Sequence, residues 1–86
     1  MPTISAFYGI LIRMFWDDHA PPHFHVIYAQ HKAEIEIETL EILGGRLPPQ
    51  AKRLVKTWAR QHKTELLNAW SLCRKHETPE QIDPLD

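Results

Sequence analysis

The chain has 86 residues, 43% of them apolar and 24% charged, with a formal net charge of −1. That length leaves no room for a second core, and that apolar fraction excludes a disordered chain. A single cysteine, Cys73, excludes an internal disulfide and fits a reducing compartment. A domain this small buries about 60–65% of its unfolded surface, so a partner or a self-interface would add to its stability.

From Tyr8 to Asp17, Ile10, Ile12, Met14 and Trp16 alternate with Leu11, Arg13 and Phe15, which predicts a first strand. The apolar run Phe7–Trp16 is short and carries Arg13, too little for a bilayer span or a secretory signal. A cytoplasmic location is the resulting expectation. Pro21 and Pro22 interrupt the ladder and hold an extended loop. A second strand is predicted over His23–Tyr28 and a third over Ala33–Glu38, joined by the hairpin loop Ala29-Gln30-His31-Lys32. Placing Tyr28 opposite Ala33 sets His25 against Glu36 and His23 against Glu38 on one wet face. Thr39–Leu43 is a candidate extension of the sheet, and Gly44-Gly45 reads as a turn.

Pro48 and Pro49 open a helix. Ala51, Leu54, Val55, Trp58, His62, Leu66, Ala69, Trp70 and Cys73 then follow in steps of three and four, predicting one long helix to about Lys75 with a candidate bend near Lys63-Thr64. Such a helix would be about 40 Å long and would overhang a small sheet, an argument for a homodimer or partner surface at its end. The fold class expected is α+β: a small antiparallel meander of three to four strands with one long C-terminal helix packed on one face. Residues 1–76 form the domain and residues 77–86 an acidic polar tail.

The near-neutral total hides segregated charge. Glu34, Glu36, Glu38 and Glu41 lie together, as do Arg46, Lys52, Arg53, Lys56, Arg60 and Lys63, and the last ten residues carry only acids. Lys52, Lys56, Arg60 and Lys63 make a stripe that suits phosphates or an acidic partner, and equally suits the solvated face of an amphipathic helix.

Asp17-Asp18-His19-Ala20-Pro21-Pro22-His23-Phe24-His25 carries three histidines and two carboxylates in nine residues. These donors suit three roles. As a metal site, His23 and His25 with His19 or Asp17 supply three ligands and leave a position open for a divalent ion. As an acid–base site, His23 or His25 is the catalytic base on an RNA phosphodiester, tuned by Glu36 or Glu38, with Lys56 and Arg60 on the backbone. The plainest alternative has the histidines paired with glutamates and otherwise idle. The binding set expected around them is Asp18, His19, Glu36, Glu38, Lys52, Lys56 and Arg60. His-x-His is a weak signal by itself, and no Cys-x-x-Cys or His-Glu-x-x-His pattern accompanies it. Cys73 shares the apolar stripe and reads as a buried, inert thiol.

Pro2-Thr3-Ile4-Ser5, Phe7-Tyr8-Gly9, Ile10–Met14, Asp18-His19, Pro21-Pro22-His23-Phe24-His25-Val26, Ile37–Glu41 and Trp58-Ala59 together resemble the family catalogued as domain of unknown function 4160, over nearly the whole chain to about Glu77. Pro-Pro-His-Phe-His is its most specific element. Members are small bacterial proteins, often encoded beside a domain of unknown function 2442 protein. The resemblance implies a toxin–antitoxin module in which this chain is the toxin-like component, neutralised by binding a small cognate antitoxin. A histidine-dependent ribonuclease or nucleic-acid-binding protein, and a metal-binding regulatory module, are the alternative functions. The resemblance does not assign the basic run Lys52–Lys63, so nucleic-acid contact through it is argued from this sequence alone.

Overall fold

The computed structural model describes residues 2–86; Met1 lies outside the described residues. Strands β1 (Thr3–Phe7), β2 (Ile10–Arg13), β3 (His23–Tyr28), β4 (His31–Glu36) and β5 (Ile42–Gly45) form one antiparallel sheet in sequential order. Helices α1 (Pro49–Gln61) and α2 (Lys63–Arg74) follow. The α+β class and the meander hold, but the sheet has five strands instead of three or four, and two helices replace the single long one.

Each difference has a local cause. Tyr8 and Gly9 both take positive φ, 50° and 79°, and close a two-residue hairpin with Phe7 opposite Ile10. The alternation that begins at Tyr8 therefore starts inside a turn, and the segment before it is a strand of its own. Gly44 and Gly45 lie in β5 rather than in a turn. Gly45 has φ +80°, and a Cβ there would meet the carbonyl oxygen of Lys32 and lie 2.8 Å from Cα of Ala33. Close backbone approach at an irregular pairing, where the β4–β5 register shifts, is what requires glycine. The helix breaks at His62, whose φ is −125° and whose N–H reaches back three residues to the Ala59 carbonyl. Trp58, His62 and Leu66 keep their four-residue steps across the break, which hides it in the sequence. With no 40 Å helix in a molecule measuring 33 × 26 × 22 Å, the overhang argument for a partner surface lapses.

One face of the sheet is the core. Ile10, Ile12, Phe24, Val26 and Ile35 point into it and meet Ala51, Val55, Trp58 and Ala59 of α1 and Leu66, Ala69, Trp70 and Cys73 of α2. Trp58 is central, fully buried between Phe7 and Phe24 with ring centroids 5.3 and 6.0 Å away. Its indole N–H donates to the Asp83 carbonyl at 2.8 Å, fixing the last residues to the body. Residues 77–86 hold no helix or strand, yet Ile82 is buried and its N–H donates to the Ile4 carbonyl at 2.8 Å, covering the outer edge of β1. Trp58→Ala is expected to cost about 3–5 kcal/mol, since it opens a cavity and frees the tail. Urea denaturation checks this; a loss below about 1 kcal/mol would show that the core closes over the site. Among the described residues, no helix is long and apolar enough to cross a membrane.

Candidate metal centre

The opposite face of the sheet is partly exposed around Arg13, His25 and Glu34, while Trp70 of α2 covers His23 at its edge. Arg13, His25 and Glu34 alternate with buried Ile12, Met14, Phe24, Val26, Ala33 and Ile35, so they face outward. They also align: Arg13 is opposite His25, and His25 is opposite Glu34. The sequence register was two residues off, because the hairpin turn is Ala29-Gln30 with Tyr28 opposite His31. A shift of two preserves the face and changes the partner, so His25 meets Glu34 rather than Glu36, and His23 meets Glu36 rather than Glu38.

The loop from Met14 to Pro22 is tied down at three points. Met14 N–H donates to Pro2 O, Asp17 N–H to Cys73 O at the end of α2, and Ile37 N–H to Pro22 O, at 3.2, 3.2 and 3.0 Å. These bonds hold Asp18 over the start of β3. Its Oδ2 lies 3.0 Å from Nε2 of His23 and 3.0 Å from Nε2 of His25, and its Oδ1 accepts the His19 N–H at 2.9 Å. One carboxylate oxygen thus touches two imidazoles, with all three donor atoms within 4.8 Å of one another.

The two rings are held differently. His23 is 1% exposed, packed on Trp70 with centroids 5.3 Å apart, and its Nδ1 donates to the Pro21 carbonyl at 2.7 Å. A carbonyl oxygen only accepts, so Nδ1 carries a proton, and Nε2 is the nitrogen left to face Asp18. That buried Nε2 makes no hydrogen bond: the Asp18 oxygen is near it but off the ring N–H direction. His25 stacks on Phe15, centroids 3.9 Å apart and planes 11° from parallel, and its Nε2 hydrogen-bonds Asp18. Desolvation pulls the Asp18 carboxyl upward, but the His25 hydrogen bond, the His19 N–H and the charges that His23 and His25 can carry outweigh it. The net position is below the ordinary carboxylate value.

Of the residues singled out in the sequence, Asp18, His23 and His25 come together. His19 reaches the other oxygen of Asp18 with Nδ1 at 3.1 Å, but its side chain is 83% exposed and lies outside the three-atom cluster. Glu36 accepts a hydrogen bond from Thr39, and Glu38 pairs with Lys63 at 2.8 Å. Lys52, Lys56 and Arg60 belong to α1, which packs on the other side of the sheet from His25, so the structure does not bring them to the histidines. Sequence reasoning missed Glu34, whose Oε1 lies 3.7 Å from Nε2 of His23, and missed the supporting Phe15, Pro21 and Trp70. The strand alternation already contained Glu34; only the turn length hid it. Nothing in the sequence pointed to Trp70, which arrives from a distant helix. Burial pushes the Cys73 thiol up, which suits an inert side chain.

No characterised protein and no solved structure matches the chain significantly. A family profile described as Domain of unknown function (DUF4160) matches residues 9–71, a span that contains Asp18, His23, His25, Glu34 and Trp70. The chain belongs to this DUF4160 family.

Proposed function

We propose that this protein is a binding module for a divalent first-row transition metal, held by Asp18, His23 and His25. The observation that carries the reading is Nε2 of His23. This buried nitrogen, on a ring whose Nδ1–H is held by the Pro21 carbonyl, lies 3.0 Å from an Asp18 carboxylate oxygen with no hydrogen bond between them. A ring whose second nitrogen is locked to a backbone carbonyl is the usual support of a metal-binding histidine. Tetrahedral ligand atoms at about 2.0–2.1 Å from a zinc ion lie about 3.3 Å apart; the two contacts around Asp18 Oδ2 are 3.0 Å, and all three donor atoms lie within 4.8 Å of one another. Two imidazoles and one carboxylate suit Zn²⁺, Fe²⁺ or Co²⁺ and leave coordination positions open. Titration of Zn²⁺ into chelator-treated, untagged protein, followed by tryptophan fluorescence through Trp70, is expected to saturate at one equivalent. His25→Ala should remove that saturation while the chain stays folded by circular dichroism. An unchanged titration in the variant would sink the reading.

The open sheet face supports a second reading, of cellular context. In it this chain is the toxin-like component of a two-protein bacterial module, and a small cognate antitoxin neutralises it by covering the face that carries Arg13, His25 and Glu34. Expression of the chain alone should arrest bacterial growth, and co-expression of the neighbouring small protein should relieve the arrest. Normal growth under both conditions, with no complex on co-purification, overturns it.

A further inference from the structure

A groove of about 370 Å³ runs along the open face beside the three donors, lined by Arg13, Phe15, His25, Ile27, Lys32 and Glu34 among others. His25 belongs to both the groove and the cluster, so a ligand in the groove lies next to any ion held there. The strand register puts Thr3, Arg13, His25, Glu34 and Gly44 in one row across the sheet, with neighbouring side chains about 5 Å apart at Cβ. Gly44 ends the row without a side chain, and nothing lies closer than 4.0 Å to where its Cβ would be.

Charge in this groove is unbalanced. Nε of Arg13 donates to the hydroxyl of Thr3 at 3.2 Å, which sets the plane of the guanidinium, and its two terminal nitrogens make no hydrogen bond among the described residues. Neither Arg13 nor Lys32 has a carboxylate within 4 Å among the described residues. A dipositive ion would be neutralised by Asp18 and Glu34, and the guanidinium and ammonium would remain as surplus. A preset guanidinium fork takes two oxygens of one oxyanion at once, and a phosphate ester carries nearly two negative charges at neutral pH.

We infer that the groove binds a phosphate dianion, with oxygens on the terminal nitrogens of Arg13, on Lys32 and on an open position of the metal held by Asp18, His23 and His25. This rests on the metal reading above. The groove volume is in the range of sites for small organic molecules, and Phe15 and Ile27 give an apolar wall for the group that bears the phosphate.

The test uses the whole chain loaded with Co²⁺, whose visible absorption reports its ligands. Inorganic phosphate and adenosine 5′-monophosphate are titrated separately, with acetate as a carboxylate control. Both phosphates are expected to change the Co²⁺ spectrum saturably, and tighter binding of the nucleotide would identify an ester rather than free phosphate as the ligand. Arg13→Ala and Lys32→Ala should each weaken phosphate binding by about tenfold and leave Co²⁺ affinity within about twofold. Absence of a Co²⁺ spectrum overturns the metal reading and this one together. A Co²⁺ spectrum that phosphate does not perturb, that acetate perturbs equally, or that responds identically in both variants overturns the groove assignment alone.

Discussion

Asp18→Asn is expected to lower divalent-metal affinity by more than about 100-fold, a larger effect than the 10–100-fold typical of groups that only support a ligand. Asp18 is the one residue that contacts both His23 and His25, through a single oxygen. An amide keeps the shape of the side chain and loses the negative charge, so the variant separates coordination from packing. Isothermal titration with Zn²⁺ at neutral pH measures the loss, and retention of wild-type affinity would exclude Asp18 as a ligand.

The same substitution has a signature in metal-free protein. The folded-state position of the Asp18 carboxyl is below its ordinary value. Its stabilising contribution is therefore complete above the unfolded-state value, about 3.9, and disappears as pH falls through the lower folded-state value. Wild type should exceed Asp18→Asn in stability near neutrality, and the gap should narrow only when the solution becomes acid enough to protonate the carboxyl. Urea midpoints across that range give the comparison; a gap that persists undiminished once the solution is acid enough to protonate the carboxyl in both states would contradict the assignment.

Gly45→Ala should destabilise the chain by about 3 kcal/mol, from a strained positive φ together with a backbone clash. Its Cβ would enter the space of the Lys32 carbonyl, at the point where Ala33 pairs with Gly45. Neither contact atom belongs to a flexible side chain, so β5 must move away from β4. Gly44→Ala is the matched control: its Cβ meets only the Glu34 carboxylate at 4.0 Å, and its φ is not positive. The control should change stability by less than about 1 kcal/mol. Equal urea midpoints for the two variants would refute the close-approach argument. Loss of β5 registry should also weaken metal binding modestly, because Glu34 pairs with Gly44 on that edge.

Local chemistry alone determined much of this protein. The α+β class, the β3 strand at His23–Tyr28, the buried helix stripe and the family were legible because period-two and period-four apolar patterns, proline pairs and the Pro-Pro-His-Phe-His motif act within a few residues of themselves. The same patterning placed His23, His25 and the glutamates on one side of the sheet, and clustering in sequence drew notice to Asp18 and His19. Turn lengths, strand pairing across bulges and side-chain direction were decided by the tertiary structure, since each depends on backbone contacts between distant segments. Shortening the β3–β4 turn to Ala29-Gln30 moved the partner of His25 from Glu36 to Glu34 and shifted the strand itself from the expected Ala33–Glu38 to His31–Glu36. Trp70, from a helix more than forty positions away, buried His23, while the Asp17–Cys73 backbone bond helped hold Asp18 over it. A cluster of donors can be read from a sequence, but the common point at which their lone pairs meet is set only when sheet, loop and helix close on one another.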